Sequence, residues 1–208
     1  MTRKRPRLVS MLDEAKTIEY GTFRQIFDVS YSDFCVKTDL SELEFNGCTF
    51  KNIHFNQQAL DHCTLIDCVF DHCDFSNVNL SSSCLRRVEF VHCNLIGADA
   101  SQCVMEDVLI ERCNCHLCNF SSSQIKTSHF KESRMDESYY HDCRIKELLL
   151  NECSFIGAEF LHTPLKNVDF SSCNIEGIAL SGTECKGVIV SEIQAVSLAR
   201  LLGIVIKE

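Results

Sequence analysis

The sequence predicts a stacked-repeat solenoid, and two observations carry that prediction. From Leu40 to Val190 every fifth residue is apolar or small, thirty-one times in succession without an insertion. Phe45, Phe50, Phe55, Leu60, Leu65, Phe70, Phe75 and Leu80 show the beat most plainly, and it continues through Phe90, Phe120, Phe130, Phe155, Phe160 and Phe170 to Leu180. Two residues before each beat stands a second column of compact residues, among them Cys48, Ile53, Cys63, Cys68, Cys73, Val78, Ser83 and Cys93. A period of five is neither the 3.6 of a helix nor the 2 of a strand. Fixed self-similarity of this kind marks an array of stacked units. The remaining three positions are mostly Asp, Asn, Ser, His, Glu, Arg or Lys, so each unit turns two residues in and three out.

Units such as Cys73-Asp-Phe-Ser-Asn, Cys93-Asn-Leu-Ile-Gly and Val168-Asp-Phe-Ser-Ser resemble the pentapeptide-repeat family pattern A(D/N)LXX. That resemblance covers about three quarters of the chain. It implies an all-β fold, a right-handed quadrilateral parallel β-helix in which four units make one coil and residues twenty apart stack. Thirty-one units then give nearly eight coils, a rod of roughly 35–40 Å at about 4.8 Å per coil. One interior ladder reads Phe50, Phe70, Phe90, Ile110, Phe130, Leu150, Phe170, Val190. Burying each Phe is worth about 1.5–3 kcal/mol, so these ladders are core and not a ligand site.

The chain has 208 residues, a net charge of −9 and fifteen cysteines. Eleven cysteines occupy the compact inward column, Cys35, Cys115 and Cys185 fall on the beat, and Cys84 faces out. A free Cys serves there as a small hydrophobe. Thiols at such density belong in a reducing compartment, and no signal peptide or membrane span is legible. A cytoplasmic protein is expected.

Residues 1–34 read as an N-terminal leader and cap, 35–190 as the repeat domain, and 191–208 as a C-terminal helix with a short strand. The first sixteen residues are basic and unpatterned, hence expected to be poorly ordered. Tyr20, Phe23, Phe27, Tyr31 and Phe34 lie outside the five-residue frame and suggest an irregular first coil closing the open end. Ser191 and Gln194 have capping-box spacing. Ala195, Leu198, Ala199 and Leu202 follow as one apolar helix face, Gly203 is a stop, and Ile204, Val205 and Ile206 suggest the strand. This segment is expected to cap the last coil and to join two copies as a homodimer.

Sorted by face, the charges are uneven. The face built on Leu40, Leu60 and onward to Leu180 carries Asp39, Glu42, Asp61, Asp99, Asp142 and Glu159, with no Lys or Arg. The Phe50 face holds seven acids, including Asp71, Glu89 and Glu111, against Lys51, Arg112 and Lys131. Only the Phe45 face is marginally basic, and the repeats sum to −12. Solvated surfaces are often mildly acidic. The alternative is an anionic rod about as wide as duplex DNA, able to compete for a basic groove by phosphate-like electrostatics.

Two stretches narrow the resemblance. Asp39-Leu-Ser with Glu44-Phe-Asn-Gly-Cys-Thr-Phe, and Gln194-Ala with Leu198, Leu202-Gly-Ile and Ile206, resemble the quinolone-resistance (Qnr) type of pentapeptide protein. That type implies a dimeric DNA mimic that binds DNA gyrase or topoisomerase IV and counters quinolones, without direct nucleic-acid binding. Projecting loops of one Qnr branch are missing, so the chain resembles the loop-free branch. The partner-binding surface expected on this basis is Asp39, Glu42, Asp61, Asp71, Glu89, Asp99 and Glu111. A protein-interaction scaffold unrelated to topoisomerases is the competing reading.

Catalytic residues, cofactors and metals are not expected. Cys113-x-Cys-His-x-Cys118 is metal-like in spacing, but the frame turns Cys113, Cys115 and Cys118 inward and His116 outward, and zinc needs converging ligands. His72 and His92 read as surface histidines stacked on one face.

Overall fold

The computed structural model describes residues 2–55, 57–201 and 203–207. It is a parallel β-solenoid closed at its C-terminal end by one helix. Each twenty residues contribute four pairing columns, which makes the rod four-sided. Two columns are three-residue strands. One sheet contains Thr49–Lys51, Val69–Asp71, Glu89–Val91, Leu109–Glu111, His129–Lys131 and Leu149–Asn151. The other contains Glu44–Asn46, Thr64–Ile66, Cys84–Arg86, Val104–Glu106, Gln124–Lys126 and Arg144–Lys146. The remaining two columns are single parallel bridges, such as Asp74↔Asn94 and Asn79↔Asp99. From Glu44 onward each partner on the next coil is twenty residues away, as in Phe50↔Phe70 and Leu65↔Leu85.

The corners explain the period. Two residues after each buried beat the backbone turns left-handed, with φ between 48° and 65° from Asn52 to Asn167 where the residue is not Gly. Asn, Asp, His and Gly tolerate that region best, and they fill many of these positions. At Gly97 the corner is also tight, since a Cβ would stand 2.5 Å from Asn77 Oδ1. Most corner N–H groups donate to a carbonyl of the next coil, as Asn77 N does to Ile96 O (2.8 Å) and Gly97 N to His116 O (2.9 Å).

Inside, the Phe50 ladder is stacked face to face: Tyr31–Phe50 at 5.1 Å, Phe50–Phe70 at 4.6 Å and Phe70–Phe90 at 5.0 Å between ring centroids. Phe120, Tyr140 and Phe160 form a second stack at 5.1 and 4.4 Å. The compact column does more than save space. Cys63 Sγ donates to Leu40 O (3.0 Å), Cys103 Sγ to Leu80 O (3.2 Å) and Cys143 Sγ to Phe120 O (3.1 Å), and Ser83 and Ser123 do the same to Leu60 O and Ala100 O. Cys, Ser and Thr recur because each is small and carries a donor that reaches a carbonyl of the preceding coil. Burial pushes the Cys63 and Cys103 thiols up to about 12, which leaves them inert.

Three expectations change. First, the leader is not loose: residues 3–7 lie along the outside of the rod, and the strand Asp13–Ala15 pairs in parallel with Val29–Ser32. Second, the first coil does obey the five-residue beat, through Ile26, Tyr31 and Val36, all buried. Its register to the next coil is nineteen residues, with Ile26↔Phe45 and Tyr31↔Phe50, so it sits one residue out of frame. Cys35 therefore faces solvent and Val36 takes the inward place. Third, the C-terminal segment caps the rod differently from the expected apolar stripe. The helix α1 (Glu192–Leu201) buries Leu198, half-buries Ala199 and leaves Ala195 exposed. Its capping box is formed, with Ser191 N donating to Gln194 Oε1 (2.7 Å) and Gln194 N to Ser191 Oγ (3.3 Å). Gln194 Nε2 also donates to Phe170 O (2.9 Å) and Cys173 O (2.7 Å), closing carbonyls at the open end. Ile204 is exposed and residues 203–207 adopt no strand. Leu202 lies outside the described residues.

Candidate partner-binding surface

The seven expected acidic residues fall into two groups that the rod holds apart. Asp39, Glu42, Asp61 and Asp99 line the Leu40 face. Their backbone positions are set by the bridge column Ala59↔Asn79↔Asp99↔Asn119 and by the neighbouring bonds Leu40 N to Ala59 O (3.0 Å) and Glu42 N to Asp61 O (2.9 Å). Each beat-minus-one Asp or Asn also serves its own coil, because its side-chain oxygen accepts the N–H two residues on. Asp39 does so from Ser41 (2.8 Å), Asn79 from Ser81 (3.0 Å), Asp99 from Ser101 (3.0 Å) and Asn119 from Ser121 (3.0 Å). This is why Asp and Asn alternate there: the turn needs an acceptor and is indifferent to its charge.

Ser41 Oγ lies between the first two carboxylates, 2.6 Å from both Asp39 Oδ1 and Asp61 Oδ1, and its single proton serves one of them at a time. The Ser41 hydroxyl and N–H hold the Asp39 carboxyl below the usual range, so it stays ionised. Among the described residues no Lys or Arg side chain lies within ion-pair distance of Asp39, Glu42, Asp61 or Asp99. Arg24 marks the margin of this face, donating to Ser41 O and lying 5.3 Å over the Tyr20 ring.

The Phe50 face is different. Glu111 meets Lys131 Nζ at 2.6 Å and Arg112 at 3.7 Å, and Arg112 Nε meets Glu132 Oε2 at 2.6 Å. Two acids and two bases from adjacent coils form one neutral network, and the Lys131 ammonium holds the Glu111 carboxyl low. Glu89 is covered by the leader, paired with Arg3 at 2.6 Å. Asp71 is bonded to His72 (2.6 Å) and approached by His92 (3.6 Å). Glu111 is thus neutralised by bases of its own face, and Glu89 by Arg3 of the leader, a partner that face counting does not reveal.

The leader also closes a corner column absent from the expected site. Asp67 and Arg87, one coil apart and both buried, pair through two bonds of 2.5 and 2.6 Å. Arg7 N donates to Asp67 Oδ1 (2.9 Å) and Lys4 N to Asp107 Oδ1 (3.0 Å). Burial alone would raise the Asp67 carboxyl, but the Arg87 guanidinium and the Arg7 N–H hold it below the usual range. The twenty-residue spacing of Asp67, Arg87 and Asp107 was readable; the docking of a basic leader on them had no periodic signal.

Cys113, Cys115 and Cys118 are buried, whereas the His116 ring meets Asp136 O at 3.1 Å on the outside. Cys118 Sγ donates inward to Leu95 O. At the C-terminal end Ile193, Val196, Leu201, Ile204 and Val205 are each exposed. No helix among the described residues is long and apolar enough to cross a membrane.

With this geometry in view, a family profile for the pentapeptide repeat region matches residues 38–120 and, overlapping, 83–160, more than half of the chain. The chain belongs to the pentapeptide-repeat family. No curated protein matches it. Among solved structures it is similar to a trypsin-treated variant of QnrB1, described as a plasmid-mediated fluoroquinolone resistance protein, at 18% identity and a TM-score of 0.46, covering 95% of this chain and 98% of that one. A second trypsin-treated QnrB1 variant gives 20% identity and 0.41, covering 96% and 100%. HetL of Nostoc sp. strain PCC 7120, described as a pentapeptide repeat protein involved in heterocyst differentiation regulation, gives 12% and 0.35, covering 81% and 90%. At these identities and scores the neighbours carry no functional argument, and the family assignment rests on the repeat itself.

Proposed function

We propose that this pentapeptide-repeat protein is a non-catalytic, cytoplasmic DNA mimic that binds DNA gyrase or topoisomerase IV as a homodimer, and that it protects the enzyme from quinolones. The observation that carries the reading is the Leu40 face: Asp39, Glu42, Asp61 and Asp99 are rigidly spaced by the coil register and have no Lys or Arg partner among the described residues. The resemblance of residues 39–50 and 194–206 to the Qnr type selects a type II topoisomerase as the basic groove. The exposed apolar residues Ile193, Val196, Leu201 and Val205 supply the surface that a second copy would cover.

Magnitudes limit what the mimicry consists of. From Asp39 to Glu159 the face has six acids over six coils, about 29 Å at ~4.8 Å per coil. That is roughly one charge per 5 Å, against one per about 1.7 Å in duplex DNA. A folded protein also releases no condensed counterions, so its binding to the enzyme is less salt-dependent than DNA binding.

The test is supercoiling by purified gyrase with this protein titrated in, with and without a quinolone. Inhibition or rescue is expected, weakened when Asp39, Asp61 and Asp99 become Asn. A folded, dimeric protein without effect at tens of micromolar would leave the topoisomerase-independent scaffold as the better reading.

A further inference from the structure

Asp71, His72 and His92 bring three metal-ligating side chains together on the Phe50 face, and their placement follows from the coil register. His72 and His92 occupy the same corner of successive coils, both with φ of 54°. His72 N donates to Val91 O and His92 N to Glu111 O, each at 3.0 Å. Identical backbone turns on a common ladder send both imidazoles in one direction, and the rings lie 4.6 Å apart at 30°. Both present Nδ1 to the same carboxylate oxygen, Asp71 Oδ1, at 2.6 Å from His72 and 3.6 Å from His92. One ligand atom from each of the three lies within 4.8 Å of the others.

A tetrahedral ion with bonds of about 2.0–2.1 Å holds its ligands roughly 3.3 Å apart, a spacing bracketed by those two distances. Two cations stand beside the site: Lys51 is the in-register neighbour of Asp71 one coil below, and Arg112 follows His92 one coil above. Asn52 Nδ2 is donated to Asp33 (2.8 Å), and the Arg112 guanidinium is engaged by Glu132 (2.6 Å). The three groups are partly open to water, with side-chain exposures of 36% for Asp71, 55% for His72 and 38% for His92, so remaining coordination positions are accessible. Two imidazoles and one carboxylate select borderline transition ions over the hard cations Mg²⁺ and Ca²⁺, which prefer all-oxygen shells.

We propose that Asp71, His72 and His92 form a surface site for one divalent transition-metal ion of the Zn²⁺ or Ni²⁺ class. The ion replaces the imidazole–carboxylate hydrogen bonds and ties two adjacent coils together, with water in its open positions. Because an ion must compete with protons for the imidazoles, acidification weakens it. The proposal is independent of any topoisomerase role.

The test uses the full chain in a Cys35→Ser, Cys84→Ser background, which removes the two exposed thiols as competing ligands. Calorimetric titration with Zn²⁺, Ni²⁺ and Mg²⁺ is expected to show one Zn²⁺ or Ni²⁺ per chain and no Mg²⁺ binding. His72→Ala or His92→Ala weakens binding at least about tenfold, and His129→Ala leaves it unchanged. These are exposed side chains, so circular dichroism should report an unchanged fold. Independently of any variant, paramagnetic Ni²⁺ should broaden amide resonances around residues 71–73 and 91–93 first. Absence of saturable binding at millimolar Zn²⁺ and Ni²⁺, binding that survives the His72→Ala, His92→Ala double change, or broadening centred elsewhere would each overturn the site.

Discussion

The Leu40 face and the Phe50 face both look acidic when residues are counted, yet on the Phe50 face ion pairs cancel three of the seven acids. None of the acids Asp39, Glu42, Asp61 and Asp99 on the Leu40 face has a Lys or Arg partner among the described residues. On the Phe50 face Glu111 and Glu132 are matched by Lys131 and Arg112 across adjacent coils, and Glu89 by Arg3 from the leader. On the Leu40 face Asp39, Asp61 and Asp99 are held by Ser and Asn hydrogen bonds, with no Lys or Arg ion pair among the described residues and, of basic groups, only His62 within 4 Å of Asp61. In a solenoid the unit of charge is therefore the column of residues twenty apart, together with whatever lies on it. Exposed pairs contribute little stability, about 0–1 kcal/mol each, so the neutral network on the Phe50 face matters more for potential than for folding.

The largest effect expected from breaking this contrast lies at the corner beside the Phe50 face. Arg87→Ala strands the buried Asp67 carboxylate, and removing one partner of a buried pair costs about 3–5 kcal/mol. Asp99→Asn on the Leu40 face keeps the oxygen that accepts Ser101 N–H, as Asn79 and Asn119 do in neighbouring coils, and should change stability by less than about 0.5 kcal/mol. Chemical denaturation of both variants measures the comparison directly. Equal losses would show that charge pairing does not distinguish the two surfaces.

Acid should act in the same direction. Glu184, buried near the last coil, accepts from Ser181 N, Ser181 Oγ and His162 N. Burial pushes its carboxyl up, but these donors win and bring it down to about 2. Asp67 is also depressed. A carboxylate whose folded value is lowered stabilises fully above its unfolded range, near 4, and loses that contribution as pH falls through the folded value. Denaturation between pH 5 and 2 should show the loss. Glu184→Gln should cost about 1–3 kcal/mol at pH 7 and flatten the curve across that window.

Deleting residues 2–9 is a milder change, expected to cost about 1–2 kcal/mol by removing the Arg3–Glu89 pair and two N–H donors to Asp67 and Asp107. It should raise the negative potential of the corner without altering the Leu40 face. Hydrogen exchange comparing the corner amides of Asp67, Arg87 and Asp107 with those of His62, Ser82 and Gln102 beside the Leu40 face would detect a loss confined to the first.

These contrasts show what could be read in advance. The repeat, its inward columns, the Phe50 ladder and the Ser191–Gln194 capping box were legible because periodicity and capping are local. The first coil was not, since Ile26, Tyr31 and Val36 keep the beat but stand one residue out of phase with Leu40. Leader docking was invisible for a different reason: Arg3, Lys4 and Arg7 bind residues 60 to 104 positions away, through two main-chain N–H groups and one guanidinium. The candidate surface was half legible. Face counting found Asp39, Glu42, Asp61 and Asp99, but the side-chain directions that neutralise Glu89 and Glu111 exist only in three dimensions.

The most direct test of the central claim compares two charge-removal variants in the gyrase supercoiling assay, after confirming that each folds. Asp39→Asn, Asp61→Asn and Asp99→Asn together should reduce inhibition or quinolone rescue at least about tenfold, whereas Glu111→Gln with Glu132→Gln should change it less than about twofold. Equal losses from the two variants, or a greater loss from the Phe50 face, would contradict the account.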